Sequence, residues 1–237
     1  LRHAGGTRIF PHPDDEKQKR KGALVMAEKK MIYLHPIPVR AWHWLHALGI
    51  VLLVLTGLQI RFPEYVNLFG SYKAAVTIHN WTGIIIAIDF VVWFVYYVFI
   101  AGTFKKLYVP TGDDIKFGML RQALFYFFFY FLGRPNPHVM KPDNKFNPMQ
   151  KAAYLVIMGV LVPLVIITGL LLMNAVPFRD AIIMFGGIKV VVLVHYLIAA
   201  CLFAFLFVHV YLATLGHTFL AHFITMFTGW EEEEDHK

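Results

Sequence analysis

The 237-residue sequence contains a single cysteine, Cys201. That excludes a disulfide framework, a Cys-x-x-Cys-His site for covalent haem and a cysteine-held iron–sulfur cluster, so any redox centre here has to be held by histidine. Charge is scarce as well: 16% of residues are charged, against 58% hydrophobic and 16% aromatic. So little charge excludes an ordinary soluble domain and fits a helical membrane protein in contact with lipid. The formal net charge of +7 does not point to nucleic acid, because the Lys and Arg residues sit beside apolar runs, where they act as topology signals. The first 30 residues are polar and lack the apolar stretch of a cleavable signal peptide.

Four apolar runs approach the ~20 residues needed to cross a hydrocarbon core. They lie at about 42–60, 75–101, 150–173 and 189–220. The fold class expected is an all-α integral membrane protein, a bundle of four transmembrane helices. Residues 1–38 read as a polar arm with a basic cluster at Lys17, Lys19, Arg20 and Lys21, residues 39–222 as the membrane domain, and residues 223–237 as a solvated acidic tail. Between the second and third spans, residues 117–132 are rich in aromatics around Arg121 and Gln122. Their uninterrupted apolar part is too short to span, which predicts an interfacial helix lying on the membrane. Pro163 should kink the third span, and Gly83 either admits a flat macrocycle or packs against a neighbouring helix. The third span ends Ile-Thr-Gly-Leu at 167–170, echoing Leu-Thr-Gly-Leu at 55–58 in the first. Eighteen Lys and Arg residues lie on one side of this arrangement and four on the other, which predicts that both termini and the long loop are cytoplasmic.

Histidines carry the chemistry. His195 and His209 share the fourth span, and fourteen residues of helix separate them by about 21 Å along the axis with an offset of only about 40°, so both point to one side at two depths. Imidazoles so placed call for partners. The antiparallel topology sets His43 or His46 level with His209, and His79 level with His195. Depth alone does not choose between His43 and His46. Each pair offers one imidazole above and one below an iron, the arrangement that a six-coordinate haem in a four-helix bundle requires. Arg40 and Lys151 lie near the His209 end, where they can offset propionate charge or touch headgroups. His35, His138, His217 and His222 are weaker candidates for propionate or surface contacts. Asp89, ten residues past His79, is either a proton relay or a protonated carboxyl bonded to another helix.

Taken together, these residues resemble the dihaem cytochrome b subunits that anchor respiratory formate dehydrogenases, nickel–iron hydrogenases and thiosulfate reductases. The resemblance covers about residues 34–222. It rests on Arg40-x-x-His43-Trp44, His79 at the start of the second span, the spacing of His195 and His209, and the segment Lys145-Phe-Asn-Pro-Met-Gln-Lys151. It implies His43 rather than His46 as the ligand, pairs of His43 with His209 and His79 with His195, and two b-type haems. It further implies a site for menaquinone or ubiquinone near Asn147, Gln150 and Lys151, although Met149 stands where some relatives have glycine.

The implied role is a membrane-anchored electron-transfer subunit in a bacterial or archaeal cytoplasmic membrane. It would link an extracytoplasmic iron–sulfur or multihaem subunit to the quinone pool, with no substrate chemistry of its own. Two rivals compete with it: a stand-alone four-helix cytochrome b that oxidises superoxide or serves quinol-linked electron transfer, and a haem-free transporter using Asp89.

Overall fold

The computed structural model describes residues 31–138, 140–141, 144–216 and 218–232. The basic cluster of the N-terminal arm, His217 and the end of the acidic tail fall outside the described residues. Four helices are long and apolar enough to cross a membrane: α1 (Ile37–Arg61), α2 (Tyr72–Ile100), α5 (Pro148–Met173) and α7 (Ile188–Ala213). Short elements link or follow them: α3 (Phe104–Tyr108), α4 (Met119–Leu124), α6 (Arg179–Met184) and α8 (Ala221–Thr228). Two three-residue strands, β1 (Met31–Tyr33) and β2 (Trp230–Glu232), pair antiparallel. The fold is all-α apart from that ribbon, as composition leads one to expect.

Local chemistry sets the helix ends. Pro38 sits in the first turn of α1, where its missing N–H costs nothing, and Ser71 caps α2 by accepting from the Ala74 N–H at 3.1 Å. The start of α5 is a capping box: Asn147 Oδ1 accepts from the Gln150 N–H at 2.9 Å, and Gln150 Oε1 accepts from the Asn147 N–H at 3.0 Å. A π-helical turn at Ile157–Leu161 precedes Pro163 and takes up the irregularity that proline imposes.

Packing divides the bundle into two helix pairs, α1 against α2 and the second half of α5 against α7, with α2 also touching α5. Close approach in the first pair depends on Gly49. A Cβ there would run into the end of the Ile86 side chain, so any larger residue would make that side chain shift. Of the two expectations for Gly83, helix packing is not met, since a Cβ at that position meets nothing within 4 Å among the described residues. A second cluster, built on Trp93, Tyr97, Leu107 and Tyr108, ties α3 to α2 and to Met158 and Val162 of α5.

Three expectations need correction. The last apolar run is not one helix to residue 220: α7 stops at Ala213, and a break leads into α8. His209 keeps its place on α7, whereas His222 belongs to α8. The helical stretch between the second and third spans starts earlier than expected, with π turns at Asp114–Gly118 and Phe125–Phe129 flanking α4, and Gln122 is its buried anchor, only 1% exposed and donating to Asn136 Oδ1 at 3.1 Å. Finally, the start of the acidic tail is not a solvated end. β2 pairs with β1 in the register Met31↔Glu232, and Glu231 is buried against Thr225 Oγ1 and His222 Nδ1. The strand pairing brings both described chain ends to the same end of the bundle.

Candidate histidine-paired redox site

Two imidazole pairs bridge the two helix layers. His43 of α1 faces His209 of α7 with ring centroids 6.3 Å apart, and His79 of α2 faces His195 of α7, also at 6.3 Å. A metal bonded to a nitrogen of each ring at about 2 Å separates the ring centroids by about 6.3 Å, so both pairs are spaced for one iron between two imidazoles. Such a pair suits a metalloporphyrin, in which four further ligands come with the cofactor. No group of three or more His, Cys, Asp or Glu side chains is placed for a protein-only metal site among the described residues.

The His79 and His195 rings are oriented by matching devices. Thr56 Oγ1 donates to the Leu52 carbonyl at 2.7 Å and lies 2.9 Å from His79 Nδ1. Thr168 Oγ1 donates to the Leu164 carbonyl at 2.8 Å and lies 2.9 Å from His195 Nδ1. With its one proton directed to the backbone carbonyl, each hydroxyl oxygen is free to accept from the imidazole. In that arrangement Nδ1 carries the proton, and Nε2 keeps the lone pair that a metal needs. The adjoining glycines lie against the rings: a Cβ at Gly57 would make an ordinary contact at 3.6 Å with His79 Cε1, whereas one at Gly169 would crowd His195 Cε1 at 3.2 Å. These are the Thr-Gly dipeptides of the repeated Thr-Gly-Leu segments, and nothing in sequence alone tied that echo to histidine.

The other pair is surrounded differently. His43 Nδ1 is buried with no hydrogen-bond partner among the described residues, and its ring meets Trp44 edge-on. His209 stacks on Phe205 at 5.8 Å and takes Tyr154 edge-on. His46 is engaged elsewhere: its Nδ1 lies 2.8 Å from Asp89 Oδ2, while Trp42 stacks on its ring and donates to the Asp89 carbonyl. Asp89, 5% exposed, is thus a carboxyl bonded to a neighbouring helix.

Around the His43 end lie buried cationic and donor groups. Arg40 Nη1 donates to the Phe227 carbonyl near the end of α8, where the helix dipole favours a cation, but its Nε is buried and unpartnered among the described residues. His35 Nδ1 is likewise buried and unpartnered, and burial together with the nearby Lys145 cation pushes the His35 pKa down to about 4. Lys145 is buried over the Phe146 ring at 5.1 Å, with no ion pair among the described residues, and desolvation lowers its pKa to about 8. Unmatched donors and a desolvated cation beside an imidazole pair fit the carboxylates of a porphyrin. In the sequence Lys145 is simply the first residue of the Lys145–Lys151 motif, and its burial singles it out.

The segment expected to meet quinone is occupied with structural contacts. Asn147 and Gln150 form the capping box, and Asn147 Nδ2 donates to Tyr126 Oη at 3.0 Å. Lys151 is buried and pairs with Asp114 Oδ2 at 3.2 Å, so its charge is offset within the chain. Against the desolvation that would raise it, bonds from Thr111 and Lys151 hold the Asp114 carboxyl below its usual range. His138 Nε2 is buried without a partner among the described residues.

A family profile described as prokaryotic cytochrome b561 matches residues 34–229. The chain is 31% identical over 215 residues to YdhU of Escherichia coli (strain K12), provisionally named a cytochrome, an alignment covering 89% of this chain and 78% of that one. It is 22% identical over 187 residues to the cytochrome b556 subunit of formate dehydrogenase from Haemophilus influenzae, covering 77% of this chain and 70% of that subunit. It is also 24% identical over 197 residues, 79% of this chain and 93% of the other, to YedZ1 of Azospira oryzae, provisionally named a protein-methionine-sulfoxide reductase subunit.

Proposed function

The chain belongs to the prokaryotic cytochrome b561 family, a haem-b-binding, multi-pass membrane family, and we propose that it is the dihaem anchor of a respiratory oxidoreductase, passing electrons across the membrane between a partner subunit and the quinone pool. The carrying observation is the pair of facing imidazoles at each of two depths. His43 with His209, and His79 with His195, would each hold one haem b, and haem held by two imidazoles supplies one-electron transfer. Arg40 and Lys145 would neutralise propionates at the His43 end, and the uncharged His35 ring would offer them a hydrogen bond. The low dielectric of the bundle strengthens those contacts and excludes water from the iron-facing nitrogens. The charge asymmetry supports a cytoplasmic His43 end and cytoplasmic termini, and the partner, an iron–sulfur or multihaem subunit, would dock at the other side. The formate dehydrogenase subunit among the relatives supports a complex over a stand-alone cytochrome. A pyridine haemochrome assay on purified protein is expected to give two b-type haems per chain. One or none would overturn this reading.

Quinone would bind near Asn147, Gln150 and Lys151, by the His43/His209 pair. Because Asn147 also caps α5, removing it outright would cost about 1 kcal/mol of helix stability and confuse the test. Asn147→Asp separates the roles: the acceptor oxygen of the cap survives, while the Nδ2 donor is lost. Quinone-coupled turnover is expected to fall at least several-fold with haem content unchanged. Wild-type turnover would move the quinone site away from Asn147.

A further inference from the structure

The two imidazole pairs are alike in spacing and unlike in support. Both rings of the His79/His195 pair meet a threonine hydroxyl oxygen at 2.9 Å, each oxygen held in place by a bond to its own helix backbone. The His43/His209 pair is supported differently: His43 Nδ1 is buried and unpartnered among the described residues, and the His209 ring is stacked on Phe205. We propose that Thr56 and Thr168 are positioning residues that fix the ligand tautomer of His79 and His195 and set the haem between them at the lower midpoint potential of the two.

The inference rests on the dihaem reading and extends it to the groups behind the ligands. An Nδ1–H that donates to an oxygen leaves more electron density on Nε2 and makes the imidazole a stronger base. A stronger base stabilises ferric iron more than ferrous iron, which lowers the potential. Two such bonds act on one iron in the same direction. In the opposite pair His43 lacks this push, so its haem stays higher, and the ordering favours electron movement from the His79 end of the bundle towards the His43 end. Placement reinforces the assignment. Thr56 and Thr168 come from α1 and α5, the helices that pack against those bearing His79 and His195, so each imidazole is held by its neighbouring helix. Gly169 follows Thr168 and leaves the His195 ring the space to reach it.

Thr56→Val and Thr168→Val keep the side-chain shape and remove the acceptor. The test is a spectroelectrochemical titration of the purified protein, which resolves the haems by potential and reads neither turnover nor partner. Each substitution is expected to raise the midpoint potential of the same haem, the one lost in His79→Ala, and the double variant to raise it further. Serine at either position should restore the wild-type value. Thr56→Ala and Thr168→Ala repeat the measurement if valine crowds the ring. An unmoved potential, a downward shift or a shift in the other haem would overturn the proposal while leaving the dihaem reading intact. Loss of haem from every variant, serine included, would also overturn it, because the hydroxyl would then not be what the imidazole requires. A wild-type protein without haem would remove the dihaem reading itself.

Discussion

Replacing His195 by alanine is expected to remove one of two haems completely and leave the other at full occupancy. The α-band of the reduced-minus-oxidised spectrum should fall by about half, because that haem would lose one of the two imidazoles that would hold it. His79→Ala should delete the same spectral and potentiometric component, since the two rings face each other at 6.3 Å. His43→Ala and His209→Ala should delete the other. His46→Ala is expected to delete neither outright, because His46 Nδ1 is bound to Asp89 on α2 and its ring is stacked by Trp42. Two results would break the assignment: His79→Ala and His195→Ala removing different components, or His46→Ala removing the component that His209→Ala removes.

How far the sequence carried this picture depended on whether a feature was local or relational. The spans and the shared face of His195 and His209 follow from length and helical period, properties of one helix at a time. His43 and His46 are less than one turn apart, so depth could not separate them; only the position of Asp89 on α2 shows that His46 is taken. The Thr-Gly-Leu echo was visible but mute, because its meaning lies in rings from other helices. Asn147-Pro-Met-Gln150 carries the residues of a capping box in order, and a purely local reading could have recognised it, whereas likeness to a family drew attention to ligand binding instead. Glu232 and Met31 are nearly the whole chain apart, so a strand pair between them leaves no short-range trace. Gly49 and Gly83 look equivalent in sequence, yet only Gly49 lies against a neighbouring side chain.

The Asp89–His46 contact is expected to be worth most when one member is removed. His46→Leu leaves a carboxyl only 5% exposed, in an apolar span, without its side-chain partner, and breaking a buried pair in that way costs about 3–5 kcal/mol. Asp89→Leu should cost less, because the imidazole side chain it leaves behind is 16% exposed against 4% for the side chain of Asp89, and so keeps more contact with its surroundings outside the bundle. The double substitution should recover most of the loss, since two apolar side chains in lipid leave no polar group unmatched. Thermal unfolding of the detergent-solubilised protein, followed by its haem absorbance, measures all three. This cycle also separates two roles for Asp89. A pair that only clamps α1 to α2 predicts a stable, haem-replete double variant with normal quinone-coupled turnover. A pair that also carries protons predicts the same stability with turnover lost. In either case a penalty near zero for His46→Leu would mean that Asp89 does not depend on His46, and the contact between these helices would then rest on Gly49 and Ile86 rather than on charge.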